Sequence, residues 1–211
     1  MLLDHFFILT TRFAPEADLL TDLGFVEGTS NDHPGQGTAN RRFFFSNTAL
    51  ELLYIRDARE ADEGPGHKLR LPERASNPCA SPLGLVMRCE DESTEPVFAG
   101  WRYQPEYFDA GVSFLVGDNS DCLDEPLCIC MPGTPPPGPP QRLSDEPFVE
   151  VTEIRLHVPV DEPSSILKAI ARVDGVQVQT NSPHLLEVAF GSEATGTQRD
   201  FRPSLPLKIC W

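Results

Sequence analysis

Residues 1–55 set the strongest constraint on the fold, because they hold two short apolar runs that each carry one polar group in need of a partner. Leu2-Leu3-Asp4-His5-Phe6-Phe7-Ile8-Leu9 is too apolar for a surface loop and too short for a typical helix, so it reads as a mostly buried strand bearing one imidazole. Thr48-Ala49-Leu50-Glu51-Leu52-Leu53-Tyr54-Ile55 has the same character around a carboxylate. A carboxylate flanked by Leu50 and Leu52 is costly to desolvate unless it is paired, hydrogen-bonded or bound to a cation, or unless its strand face lines a wet cavity. Between the two runs, Pro15 to Leu23 forms an amphipathic helix with Leu19, Leu20 and Leu23 on one face and Gly24 as its stop. Phe25-Val26-Glu27 starts a second strand, Gly28 to Gly37 is a polar, turn-rich excursion, and Arg41-Arg42-Phe43-Phe44-Phe45 is a third strand. The order is strand, helix, three strands.

The pattern recurs along the chain. Residues 57–81, rich in charge, Pro and Gly, read as a connector. A second unit begins at Leu83-Gly84-Leu85-Val86-Met87-Arg88-Cys89, passes a short stretch around Val97 to Gly100, and ends in Val112 to Val116 and Leu127 to Met131. Residues 133–147 hold Pro135, Pro136, Pro137, Pro139 and Pro140, a composition that extends as polyproline II and makes a linker. A third unit fills 149–211, with strands at Val151 to Val158, Val176 to Gln179, Leu185 to Phe190 and Leu205 to Cys210, and a helix over Pro163 to Val173. The predicted class is α+β, with βαβββ units and domains 1–132, 133–147 and 149–211.

Charge and cysteine usage bound the partners. A formal net charge of −15 on 211 residues repels phosphate backbones and argues against nucleic acid. The apolar runs fall far short of the ~20 residues a membrane helix needs, and no signal peptide is read at the start, so a cytoplasmic protein is expected. The six cysteines show no metal-knuckle spacing, and reduced thiols are the expectation.

The repeated units, together with Leu3-Asp4-His5, Asp22-Leu23-Gly24-Phe25, His33-Pro34-Gly35-Gln36-Gly37-Thr38-Ala39-Asn40 and Leu50-Glu51-Leu52, resemble the glyoxalase-like branch of the vicinal oxygen chelate superfamily. The resemblance implies two units whose sheets curve around one cleft, and a divalent metal there held from the first and last strands of each unit. It puts His5 and Glu51 on the two ligand positions of the first unit. The second unit departs, with Gly84 where a His would sit and Cys128 where a Glu would sit; the third has Glu153 and Lys208, and a lysine ammonium would repel a cation.

Imidazole plus carboxylate suits Zn, Fe, Mn, Ni or Co alike, so His5 and Glu51 do not select a metal. His33, beside Gly35 and Gly37, is a candidate third ligand or acid–base group, and the turn from Asp32 to Asn40 is expected to rim the cleft with a glycine at positive φ. Asn40 and Arg42 are candidates to orient a substrate carboxylate or carbonyl; alternation sends Arg41 and Arg42 to opposite faces, so at most one of them lines the cleft. Cys128 is a candidate soft contact to substrate. His157 and His184 read as structural. The activity implied by the resemblance is metal-dependent lyase, isomerase or dioxygenase chemistry on a small molecule with vicinal oxygens, Glu51 and His33 being catalytic. The alternative is a metal-free module that sequesters a small molecule, as in bleomycin resistance. A small-molecule ligand is the expected partner, with a second copy of the chain as the other candidate.

Overall fold

The computed structural model describes residues 1–89, 98–133, 148–191 and 196–211. Most of the expected linker and Val97 of the second unit lie outside the described residues. The first unit supplies β1 (Leu2–Leu9), α1 (Ala17–Leu23), β2 (Asp32–His33), β3 (Thr38–Phe44) and β4 (Ala49–Ile55), and the second supplies β5 (Leu83–Cys89), β6 (Gly100–Tyr103), β7 (Phe114–Gly117) and β8 (Leu127–Pro132). Among the described residues these eight strands form one sheet, ordered β2-β3-β4-β1-β5-β8-β7-β6. Each unit is a meander whose last strand returns parallel to its first, β4 on β1 and β8 on β5, and the units join where β1 and β5 pair antiparallel. The symmetric order curls the sheet around one cavity, as expected for paired βαβββ units.

The connector expected over 57–81 is not irregular. It contains α2 (Ala58–Glu63) and α3 (Leu71–Ser76). Asp57 caps α2 by accepting from the backbone N–H groups of Arg59 and Glu60, both at 3.0 Å. A Pro in the first turn starts α3, where its missing N–H costs nothing. High charge disguised both helices, yet Leu69 and Leu71 are buried and close one side of the cavity.

The third unit places β9 (Val151–His157), α4 (Ser165–Ile170), β10 (Val176–Gln179), β11 (Leu185–Phe190), β12 (Gln198–Asp200) and β13 (Leu207–Cys210) in a second sheet, ordered β10-β9-β11-β13-β12. The expected strands exist, but the pairing differs from the first two units. The short crossover through α4 lays β10 parallel beside β9, while β13 pairs with β11 rather than with β9. This sheet packs on the outer face of the curved one. Phe6, Ile8, Leu50, Leu52 and Leu85 from the first sheet share a core with Ile154, Leu156, Leu186 and Val188. Aromatic rings bolt the two together, with Phe25–Phe148 at 4.7 Å, Phe45–Phe190 at 4.9 Å and Phe25–Phe190 at 5.6 Å between centroids. The side-chain amide of Asn47 also pairs with the Val151 backbone as a strand would, donating to its carbonyl at 2.8 Å and accepting from its N–H at 3.1 Å.

Alternation thus splits β1 cleanly: Phe6 and Ile8 face this core, while Phe7 and Leu9 join a second apolar cluster on the cavity side. Opposite Phe7 stands Gly84. A Cβ there would run into the Phe7 ring, so only glycine lets the ring spread across β5. Gly84→Ala is expected to cost about 1–3 kcal/mol in a chemical denaturation midpoint, and less in a Phe7→Ala background. Equal cost in both backgrounds would sink the explanation. Cys130 is disulfide-bonded, against the expectation of reduced thiols throughout, while Cys79, Cys122, Cys128 and Cys210 are free. Among the described residues no helix is long and apolar enough to cross a membrane.

Candidate active site

The curved sheet encloses a cavity of about 730 Å³. Its floor is set by register. One row across the sheet runs Arg42, Glu51, Phe7, Gly84 and Leu127 on β3, β4, β1, β5 and β8. His5 lies two residues before Phe7 and so shares its face, and His5 and Glu51 both line the cavity.

Between Leu3 and His5 the pairing of β1 with β5 slips by one residue. In a regular strand Asp4 and His5 would point to opposite sides; the bulge turns both inward. Asp4 Oδ1 then takes the Nδ1 proton of His5 at 2.6 Å, and its Oδ2 accepts from Arg88 Nε, also at 2.6 Å. Burial opposes ionisation of Asp4, but His5 and Arg88 prevail and hold its carboxyl below the usual range. With Nδ1 so occupied, His5 Nε2 is the ring nitrogen left for a ligand, and His5 lines the cavity. Burial disfavours the imidazolium, yet the charges of Glu51 and Asp4 outweigh it and His5 titrates above its ordinary value. Glu51 is itself held from behind, where Asn40 Nδ2 donates to Oε2 at 2.9 Å, leaving Oε1 free. Asn40 is fully buried, with Oδ1 accepting from Asn31 N at 2.7 Å, so it positions Glu51 and does not line the cavity.

His33 sits in β2 and is buried, not loose in a turn. A chain of hydrogen bonds holds it in place: the Tyr107 hydroxyl donates to Gln36 Oε1 at 3.0 Å, Gln36 Nε2 donates to Thr38 Oγ1 at 2.8 Å, and Thr38 Oγ1 pairs with His33 Nδ1 at 2.9 Å. The Nε2 side of the ring is left for a ligand. Burial, reinforced by His5 and Arg42 and only partly opposed by Glu51, pushes His33 below its ordinary value, so it is neutral at pH 7. The Tyr107 ring leans on it at 4.9 Å, which ties the rim of the first unit to a loop of the second. Gly35 and Gly37 have φ of +79° and +71°, as the turn required.

Arg42 lines the cavity while Arg41 turns outward to Glu27 and Asp18. Cys128 faces the other way. It is fully buried in the shared core with its thiol pushed up to about 12 by burial, and it is absent from the cavity wall that Leu127 and Ile129 help build.

The donor set falls short of a divalent-metal centre. His5 and Glu51 are two donors from the first unit, while the second unit offers Gly84 without a side chain and Cys128 turned away. No three His, Cys, Asp or Glu side chains among the described residues come together as a metal site would require. Sequence patterning missed Asp4, Arg88 and Tyr107. The adjacent pair Asp4-His5 was the only visible sign of the first, since the bulge that joins them depends on long-range pairing.

No protein-family model matches the chain, and no curated protein does. Among solved structures, a hypothetical protein from Staphylococcus aureus superposes with a TM-score of 0.54 at 9% identity over 98% of both chains, third unit included. The two share a fold, in which paired βαβββ-like units curl one eight-stranded sheet around the cavity in the arrangement that the vicinal oxygen chelate resemblance led one to expect. Methylmalonyl-CoA epimerase from Streptomyces coelicolor gives 0.42 at 12% identity, over 66% of this chain and 99% of its own. A hypothetical protein from Bacillus halodurans gives 0.40 at 15%, over 64% and 95%. At 9% identity the likeness to the Staphylococcus aureus protein speaks for the fold alone.

Proposed function

We propose that the cavity catalyses proton transfer next to a carbonyl group of a small organic molecule, with the protein's own side chains supplying the acid and base. The observation that carries this reading is His5, whose Nδ1 is anchored by a carboxylate and whose ring lines the cavity beside Glu51. An imidazole so oriented acts as a general base through its free nitrogen, while Asp4 stabilises the imidazolium that forms. Neutral His33, with its hydrogen on Nε2, is suited to donate to the developing oxyanion, since a fixed neutral donor stabilises new negative charge without giving up its proton. Glu51 adds negative charge that favours the protonated His5, and delivery of that proton to the carbon of the enolate restores the base form.

Hydrogen–deuterium exchange tests this. In D2O, 2-octanone and 2-oxooctanoate should incorporate deuterium next to the carbonyl faster than the uncatalysed background, as read by proton NMR, and His5→Gln should abolish the excess. Binding without any exchange would leave the cavity as a sequestering site of the bleomycin-resistance type.

A further inference from the structure

We infer that the natural ligand is an amphipathic monocarboxylate, its carboxylate held by Arg42 and its apolar body in the far end of the cavity. This rests on the proton-transfer reading for what happens to the ligand, though not for what the ligand is. Two arginines line the cavity. Arg88 is committed, donating to Asp4 at 2.6 Å and to the Pro132 carbonyl at 3.0 Å. Arg42 is not. Its Nε donates to the Thr29 carbonyl at 2.7 Å, and its Nη2 to Thr29 Oγ1 and Asn31 Oδ1, each at 3.2 Å. All three acceptors are neutral, and Nη1 has no acceptor among the described residues. In a chain with 32 acidic against 17 basic residues, a cavity guanidinium that meets no carboxylate is a charge without its counter-ion.

The guanidinium is also preorganised. It stacks over Phe44 with its carbon 4.8 Å from the ring centroid, and the three hydrogen bonds fix its plane. A ligand oxyanion would therefore pay little side-chain entropy to use it. The charge should be single. Asp32 and Glu51 also line this part of the wall, so a phosphate dianion would meet repulsion that a carboxylate can tolerate. Beyond the row of Arg42 and Glu51 the walls turn apolar, through Leu53, Leu69, Leu71, Phe108 and Phe114. A volume of about 730 Å³ lies within the range of pockets that enclose ligands well above acetate in size.

The test is calorimetric titration of the full chain with octanoate, octanamide and octyl phosphate. Octanoate should bind the wild type, with octanamide and octyl phosphate each at least about 10-fold weaker, and Arg42→Gln should weaken octanoate by about 10- to 100-fold while leaving octanamide unchanged. Arg42→Lys should recover part of the loss, because it keeps the charge without the fork. Melting curves of both variants check that the fold survives. Equal affinity for acid and amide, tighter binding of octyl phosphate, an unaffected Arg42→Gln, or no binding of octanoate at millimolar concentration would each overturn the assignment. If octanoate binds through Arg42 but no exchange is seen with 2-oxooctanoate, the ligand class stands and the proton-transfer reading alone falls. If 2-octanone exchanges while acid and amide bind alike, the reverse holds.

Discussion

Replacing Arg74 with methionine is expected to lower folding stability by about 3–5 kcal/mol. Arg74, on α3, is almost wholly buried. Its Nη1 donates to the carbonyls of Glu125 at 2.7 Å and Ser81 at 3.3 Å, and its Nη2 to those of Ser120 at 3.1 Å and Cys122 at 3.3 Å. It is a buried cation with no carboxylate partner among the described residues; backbone dipoles alone solvate it, and burial pushes its guanidinium down to about 10. Methionine would fill part of the volume and leave those carbonyls without their donors. The loss should spread, because the same loop carries Glu125, whose buried carboxylate accepts from Asn119 Nδ2 at 2.9 Å and from the Ser164 backbone at the start of α4 at 2.7 Å. An unfolding free energy from urea titration that falls by less than about 1 kcal/mol would mean that water replaces the guanidinium at little cost.

The second large effect is catalytic. His5→Gln should lower deuterium exchange by about 100- to 10,000-fold and leave octanoate binding nearly unchanged. Asp4→Asn separates support from chemistry. It removes the carboxylate that helps hold the His5 pKa up, while Arg88 keeps its positive charge nearby, so the acid limb of the pH–rate profile should move to lower pH. An unmoved limb would show that a group other than His5 is the base. Stability gives a second reading of the same titration. A histidine with a raised folded pKa contributes stability that is fully present below its unfolded value of about 6.5 and fades as pH rises through the folded value. The stability difference between wild type and His5→Gln should shrink on the alkaline side.

The first unit was the most legible part of the sequence, and the reason is local. Leu2 to Leu9 and Leu50 to Ile55 announce strands by composition, and Gly24 ends α1 at φ +108° where a Cβ is unwelcome. Glu51 was also legible as a group needing a partner, though Asn40 as that partner was not, because it depends on cross-strand register. What failed was whatever long-range packing decides. Phe25 to Glu27 reads as a strand, yet only Glu27 bridges to Phe43, and the strand proper is Asp32–His33. Cys128 and Leu127 are indistinguishable as strand residues until the parity of β8 against the cavity is known. Gly84 showed that a second-unit imidazole was missing; only the structure shows that Phe7 fills its place.

The position of β1 bears on how the site meets a ligand. It is paired on both edges, by β4 and β5, and packed on both faces, by the shared core below and the Phe7 and Leu9 cluster on the cavity side. Such a strand is expected to open only with the sheet as a whole, so its central amides should exchange slowly. His5 and its bulge therefore ride on a central strand rather than on a loop, and the backbone there should lose little freedom when a ligand arrives. Adjustment falls to the rim, where the turn at Gly35 and the segment at Tyr107 meet through single hydrogen bonds and ring contacts. Differences in ligand size would then appear as rim motion on fast timescales, with the catalytic floor unmoved.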